Sequence, residues 1–301
     1  MNIPLQSPDS TTGPSMADYH HANQCTWCDG CGDYGIWSAI KLALTELKLH
    51  PWQVFLCFDV GCHGNASDKL MGYRFHGLHG RVVPFAAGAK LSNMNVPVIA
   101  FGGDGASFSE GVGHLVHAIR SNYPMTFILH NNENYGLTTG QASSLTWQGQ
   151  PMNSSPYGIP ERTIASMDFI FSLQPTFVAR TFSGNIKQLT EVFKAAIEHQ
   201  KHGFAFVDVL QACPTYNHFA THEYLLEKCY DVTTEGHDVH DFGQARKIAT
   251  DTTERIATGI LYQNTNIPNF YERLEPRKGI LTTPVHEVAK RDVSGFMREL
   301  T

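Results

Sequence analysis

Cys25-Thr26-Trp27-Cys28-Asp29-Gly30-Cys31-Gly32 sets three cysteines at three-residue spacing near the start of the chain. Thiolates so spaced can wrap one centre, and four-cysteine sites hold either zinc or an iron–sulfur cluster. A zinc ribbon needs a second Cys-x-x-Cys pair, whereas Cys57, Cys62, Cys213 and Cys229 are isolated. A second chemistry is suggested by Gly102-Gly103-Asp104-Gly105 and, further on, Asn131-Asn132-Glu133-Asn134-Tyr135-Gly136. Glycines let the backbone approach a phosphate closely, and a helix starting just beyond offers unpaired N–H groups to it. Asp104 supplies a hard oxygen, and one carboxylate, one amide oxygen and a main-chain carbonyl suit octahedral Mg²⁺ shared with phosphates. Gly-Asp-Gly alone is also ordinary turn chemistry. Its pairing with the downstream asparagines is what sharpens it.

These residues need a scaffold that brings them together. Val54–Phe58, Val96–Phe101, Thr126–His130 and Ala205–Leu210 are short apolar runs rich in β-branched and aromatic residues, which reads as buried strands. Amphipathic stretches at Ile36–Leu47, Arg81–Leu91, Glu110–Ser121 and Asn185–Gln200 lie between or beside them. The alternation predicts an open, mostly parallel α/β sheet with helices on both faces. Ligands of such sheets sit beyond the carboxyl ends of the strands. Asp104 and Asn131-Asn132 follow adjacent predicted strands, and Cys62 and Cys213 lie just past two others, all on one edge. Cys57 falls inside a strand and reads as a small buried hydrophobe. A cluster at that edge fits electron removal from a cofactor, whereas zinc does not. Spacing alone leaves open whether Cys25 or Cys28 is the first ligand.

Composition narrows the class. With 301 residues and 42% hydrophobic content the chain can bury a large core, enough for one domain or slightly more. A net charge of −6 with scattered basic residues argues against nucleic acid, and the apolar runs are far too short to span a bilayer. Residues 1–24 read as a polar arm rich in Ser, Thr and Pro, without the basic start and apolar stretch of a signal peptide, so a cytoplasmic location is expected. Seven cysteines without such a signal favour metal binding over disulfides. Residues 25–221 form the predicted main domain, and 222–301 a smaller C-terminal appendage. Within the appendage His222–Asp241 reads as a helical turn and linker, Phe242–Thr252 as a helix, and Gly259–Leu274 as aromatic-rich but irregular.

The Gly-Asp-Gly and Asn-Asn pair resembles the magnesium-diphosphate motif of thiamine-diphosphate enzymes. Cys-x-Gly-Cys-Gly near the start, Gly61-Cys62, His76-Gly77-Leu78-His79-Gly80-Arg81, Gly103-Asp104-Gly105, Tyr135-Gly136-Leu137-Thr138 with Gly140-Gln141, and Cys213-Pro214-Thr215 with Asn217 follow one another in order. Over roughly residues 25–220 this series resembles the β subunits of 2-oxoacid:ferredoxin oxidoreductases. The resemblance implies thiamine diphosphate and Mg²⁺ held by Asp104, the Asn132 side chain and the Asn134 carbonyl, with Gly103, Gly105, Ala106, Gly136 and Leu137 lining the cofactor. It implies a [4Fe–4S] cluster on Cys28, Cys31, Cys62 and Cys213, leaving Cys25 as an extra, and contact of Val60, Gly61, Cys62 and His63 with the thiamine. His79 and Arg81 are candidates for phosphate or carboxylate contact, against the plainer reading of His79 as a hydrogen-bonded structural histidine.

The implied activity is oxidative decarboxylation of a 2-oxoacid, pyruvate or 2-oxoglutarate first, with coenzyme A and ferredoxin. An α subunit (or α and γ subunits) would hold the aminopyrimidine, for which this chain is too short. Three positions depart from the family pattern: Ala142-Ser143-Ser144-Leu145 after Gly140-Gln141, Ser121 after Arg120, and His63 after Cys62. Competing readings are a non-oxidative thiamine enzyme subunit, which has no use for the cysteines, and a zinc-stabilised interaction subunit.

Overall fold

The computed structural model describes residues 13–280, 282–288 and 292–299; the first half of the polar arm, residues 1–12, lies outside the described residues. Strands β1 (Phe55–Phe58), β2 (Tyr73–His76), β3 (Val98–Gly103), β4 (Thr126–Asn131), β7 (Phe177–Phe182), β8 (Ala205–Leu210), β9 (Cys229–Asp231) and β10 (Ile256–Gln263) form one sheet, in the order β2-β1-β3-β4-β8-β7-β10-β9. A separate two-stranded ladder joins β5 (Asn134–Tyr135) to β6 (Gln141–Ala142). From β2 to β7 every neighbouring pair is parallel; β10 runs antiparallel to β7, and β9 parallel to β10. The mostly parallel, doubly covered sheet expected from the sequence is therefore present.

Alternation along the strands divides the core into two layers, as a period of two requires. Leu56, Phe58 and Ile128 pack with helices α1 (Asp33–Glu46) and α5 (Ile186–His199). Cys57, Phe127 and Leu129 face the opposite way, toward α2 (Val82–Ser92), α3 (Val112–Ser121), α4 (Ser166–Ser172) and α7 (Phe242–Thr250). Cys57 is fully buried in this second layer, a packing residue as expected. Among the described residues no helix is long and apolar enough to cross a membrane.

Several expectations change. The segment 222–301 does not stand wholly apart, because β9 and β10 extend the main sheet, and Gly259–Leu274, expected to be irregular, begins inside β10. Gly259 at φ +115° and a register shift between Ile260 and Tyr262 interrupt the alternation that would have marked this strand. Strand β7 was hidden by Arg180 in its centre. That side chain is buried because Nε donates to Asp208 Oδ2 at 3.0 Å, while Asn131 Nδ2 donates to Asp208 Oδ1 at 3.0 Å. The edge strand β2 is mostly exposed and carries no apolar run. The expected helix Glu110–Ser121 is present as α3, starting two residues later, after a wider turn at Ala106–Glu110. The described part of the polar arm is pinned by this chain itself. Tyr19 is fully buried, its hydroxyl donates to the Leu49 carbonyl, and its carbonyl accepts from Met71 N–H at 3.0 Å.

Helix α1 carries the cysteine segment into the sheet edge, and glycines set how closely it can approach. A Cβ on Gly35 would lie 2.0 Å from the Ser183 carbonyl oxygen, and one on Gly32 only 2.4 Å from Ser183 Oγ. The Gly35→Ala variant should lose about 1–3 kcal/mol, the cost of an overpacked backbone contact. Thermal unfolding measures this directly; an unchanged midpoint would contradict the seating of α1 on the β7–α5 turn.

Candidate active site

The carboxyl ends of β1, β3, β4 and β8 meet at one edge. Phe58 pairs with Phe101, Gly103 with His130, and Asn131 with Leu210, so the loops that follow leave the sheet side by side. β3 runs two residues further than expected and takes Gly102-Gly103 into the strand. Asp104 then turns directly into a helical segment.

Three cysteine-bearing segments are tied together here. Trp27 Nε1 donates to the Cys62 carbonyl at 2.7 Å, Gly32 N–H to the Ala212 carbonyl at 3.0 Å, and Cys31 N–H to the Cys28 carbonyl at 3.0 Å. A Cβ on Gly136 would lie 3.4 Å from Cys62 Sγ and 3.8 Å from Cys213 Sγ, so those sulfurs flank one glycine. Burial pushes the Cys62 thiol up to about 12, with Asp33 and the Cys213 and Cys28 sulfurs adding to the effect. Burial also raises Cys31, helped by Asp33 and Cys213. The electrostatic neighbours of Cys25 are instead Lys69, Lys41 and Asp68. Cys62 thus has the Cys28 and Cys213 sulfurs among its electrostatic neighbours and Cys31 has Cys213, whereas Cys25 has two lysines and Asp68. Among the described residues no three His, Cys, Asp or Glu side chains stand close enough to hold a single metal ion. Gln211 Nε2 donates to Cys31 Sγ at 3.6 Å, a contact suited to a thiolate.

Beside the sulfurs lies a crevice lined by Val60, Gly61, Cys62, His63, His79, Gly103, Asp104, Gly105, Ala106, Asn132, Asn134, Gly136 and Leu137. Asp104 is 1% exposed; its Oδ2 accepts from the Ser143 hydroxyl while Oδ1 is buried with no partner. An orphaned carboxylate oxygen facing two buried asparagines fits a divalent cation. Asn132 Oδ1 accepts from Asn134 N–H at 3.2 Å, and the Asn132 carbonyl accepts from Asn134 Nδ2 at 2.7 Å and Asn217 Nδ2 at 3.0 Å. Gly105 packs against the Tyr135 ring, where a Cβ would lie 2.3 Å from it. The crevice holds only about 60 Å³, against about 730 Å³ for the cavity on the far side of Cys31 and Cys213. The crevice is thus one wall of a cofactor site rather than an enclosure.

The two candidate catalytic residues separate. His79 lines the crevice with Nδ1 3.5 Å from Glu110 Oε2, a carboxylate that also accepts from the Tyr135 hydroxyl at 3.1 Å. Arg81 does not line it: its Nη1 donates to the Gly80 and Glu110 carbonyls at 2.9 and 3.0 Å, which makes it a brace. His63 lies beneath Gly103, fully buried, and burial together with His130 holds it neutral. Sequence reasoning missed Asp59, whose Oδ1 accepts from the Val60 and Gly80 N–H groups at 2.8 and 2.9 Å and so fixes both crevice loops. It also missed Glu133, buried at φ +57° and bonded to Trp147 Nε1 at 3.0 Å. An acid directly after β1, and another between Asn132 and Asn134, were the available signals.

Comparison with known proteins agrees with this arrangement. Residues 59–209 match the family model described as thiamine pyrophosphate enzyme, C-terminal TPP binding domain, and residues 213–278 match the model for the C terminal of the pyruvate ferredoxin oxidoreductase beta subunit. The 2-oxoacid:ferredoxin oxidoreductase subunit beta of Saccharolobus solfataricus is 38% identical over 91% of this chain and 95% of its own length. Subunit beta of 2-oxoacid:ferredoxin oxidoreductase 2 from Aeropyrum pernix is 38% identical over 87% of each chain. Among solved structures, a 2-oxoglutarate:ferredoxin oxidoreductase from Magnetococcus marinus with 2-oxoglutarate, coenzyme A and succinyl-CoA bound superposes with a TM-score of 0.84. It is 30% identical, and the match covers 92% of this chain and 95% of its own. Fold and site together define an oxidoreductase subunit with a thiamine-diphosphate-binding domain. The chain belongs to the β subunits of the 2-oxoacid:ferredoxin oxidoreductases, which are parts of multi-subunit enzymes.

Burial gives Asp104 a pH signature. Desolvation pushes Asp104 up to about 7 despite the bond it accepts from the Ser143 hydroxyl. An acid whose pKa is raised on folding binds its proton more tightly in the native state, so stability falls as pH rises from the unfolded value toward 7. In chelator-treated protein, wild type should lose roughly 3 kcal/mol more than Asp104→Asn between pH 5 and pH 8. Thermal melts at both pH values test this; parallel losses in the two proteins would contradict the burial of a free carboxyl at 104.

Proposed function

We propose that this chain supplies one wall of the active site and the electron outlet of a cytoplasmic 2-oxoacid:ferredoxin oxidoreductase. In that reaction the 2-oxoacid loses CO₂ and is oxidised, coenzyme A takes the acyl group, and ferredoxin takes the electrons. The observation that carries the reading is the shared edge: Gly136 lines the crevice, and a Cβ built on it would lie in van der Waals contact with the Cys62 and Cys213 sulfurs.

Asp104 Oδ1, the Asn132 side chain and the Asn134 carbonyl would hold Mg²⁺, and Cys28, Cys31, Cys62 and Cys213 a [4Fe–4S] cluster. When bound, thiamine diphosphate supplies the electron sink for decarboxylation and the cluster supplies one-electron transfer. The protein's own part is positional. Gly103 and Gly105 would let the backbone close on the diphosphate, and the first N–H groups of the helical segment that follows would be available to it. Val60–His63 and Leu137 shape the apolar wall. His63, kept neutral by burial, adds no charge against a cationic ring. His79, 3.5 Å from Glu110 at the crevice, would meet the phosphate or the substrate carboxylate. Residues 25–221 carry both centres, and an α subunit (or α with γ) closes the open side of the crevice. A 2-oxoacid of the pyruvate or 2-oxoglutarate type is the proposed substrate, the second named by the Magnetococcus relative.

The complex of this chain with its co-expressed partner, purified anaerobically, should contain iron and sulfide and absorb broadly near ~400 nm. Single Cys28→Ala, Cys31→Ala, Cys62→Ala and Cys213→Ala variants should each lose most of that iron, while Cys25→Ala keeps it. One zinc in place of iron, or iron lost only with Cys25→Ala, would contradict the assignment.

A further inference from the structure

The loop after Gly140-Gln141 grips the proposed magnesium site from outside. We propose that Ser143 is a positioning residue that commits Asp104 to one-oxygen coordination and thereby sets the site's preference for Mg²⁺ over Ca²⁺. The inference rests on the cofactor reading above.

Three contacts from one short loop reach the two ligand-bearing turns. The Ser143 hydroxyl donates to Asp104 Oδ2, Thr146 Oγ1 donates to the Glu133 carbonyl at 2.6 Å, and Trp147 Nε1 donates to Glu133 Oε1 at 3.0 Å. The donor pattern is self-consistent. Ser143 Oγ, its proton given to Asp104, accepts from Leu145 N–H at 3.2 Å, and Thr146 Oγ1 accepts from Ser143 N–H at 2.9 Å. The loop is braced in turn by Ile164 N–H to the Ser144 carbonyl at 2.9 Å and Thr163 Oγ1 to the Thr146 carbonyl at 3.0 Å. Ser143 is 7% exposed and Asp104 1%, so no water competes freely for Oδ2.

The consequence is stereochemical. With Oδ2 occupied by the hydroxyl, only the partnerless Oδ1 can meet a metal. Mg²⁺ demands compact octahedral geometry and takes carboxylates through one oxygen. Ca²⁺ accepts more ligands and takes carboxylates through both oxygens readily. Removing the hydroxyl frees Oδ2, which loosens the carboxylate for Mg²⁺ and opens the two-oxygen mode that suits Ca²⁺.

The test is calorimetric titration of thiamine diphosphate, with Mg²⁺ or with Ca²⁺, into the metal-stripped complex of this chain with its partner subunit. Relative to wild type, Ser143→Ala should weaken Mg²⁺-supported binding about tenfold, the usual cost of losing an outer contact to a metal ligand. Ca²⁺-supported binding should weaken less, so the ratio between the cations narrows, and Ser143→Thr should restore both. Unchanged Mg²⁺ affinity in Ser143→Ala overturns the proposal, as does an equal loss with both cations that Ser143→Thr leaves in place. A wild-type complex that binds no thiamine diphosphate with either cation overturns the cofactor reading, and this inference with it.

Discussion

Parallel register is the constraint on which the site depends. In a run of parallel strands all carboxyl ends share one edge, and the pairings Phe58–Phe101, Gly103–His130 and Asn131–Leu210 bring four of them out almost level. Asp59 to Cys62, Asp104, Asn132 and Gln211 to Cys213 are therefore neighbours although they are far apart in the chain. Side chains alternate between faces, so a slip of one residue in any of these pairings would turn a ligand away from the edge and drive core residues toward the wrong layer. The two hydrophobic layers, with Phe127 and Leu129 on one side and Ile128 on the other, are what resist such a slip.

On this frame the edge carries an unusual load of buried polarity. Asp59, Asp104, Glu133, His63 and His130 all sit among groups that water does not reach, and His63 Nε2, Asp104 Oδ1 and Glu133 Oε2 have no protein partner. Orphaned groups of this kind are costly in a core, yet they are what a site for a charged cofactor requires. Burial raises Glu133 to about 8, and it occupies the left-handed region at φ +57°, where non-glycine residues are uncommon. The turn between Asn132 and Asn134 is held in that shape by Thr146 and Trp147. Strain and desolvation thus concentrate where binding of a cation and a diphosphate would offset them.

Much of this was legible in the residues themselves. Strands β1, β3, β4 and β8 announce themselves as apolar runs, and the chemistry-bearing residues sit just beyond those runs. What stayed hidden has identifiable physical causes. Arg180 in the middle of β7 looks polar until its partner Asp208, on the neighbouring strand, is known. β10 carries a glycine and a register shift that break its period. The path of the 25–31 segment depends on the bond from Trp27 to the distant Cys62 carbonyl, which ties it to the sheet edge. Arg81 resembled a ligand in type and position, yet nearby carbonyls claim its guanidinium. Contacts between segments remote in sequence decide each of these cases, and a linear pattern does not carry them.

The central claim is that the metal-diphosphate site and the cluster lie side by side in this chain, joined at Gly136. Mn²⁺ put in place of Mg²⁺ supplies a paramagnet at Asp104, and the reduced cluster supplies another. The most direct measurement is the electron paramagnetic resonance signal of the reduced cluster in the intact complex, loaded with thiamine diphosphate and either Mn²⁺ or Mg²⁺. Adjacent sites predict marked broadening and faster relaxation of the cluster signal with Mn²⁺. A cluster signal identical with the two cations, while Mn²⁺ is bound, would place the two centres apart and contradict the account.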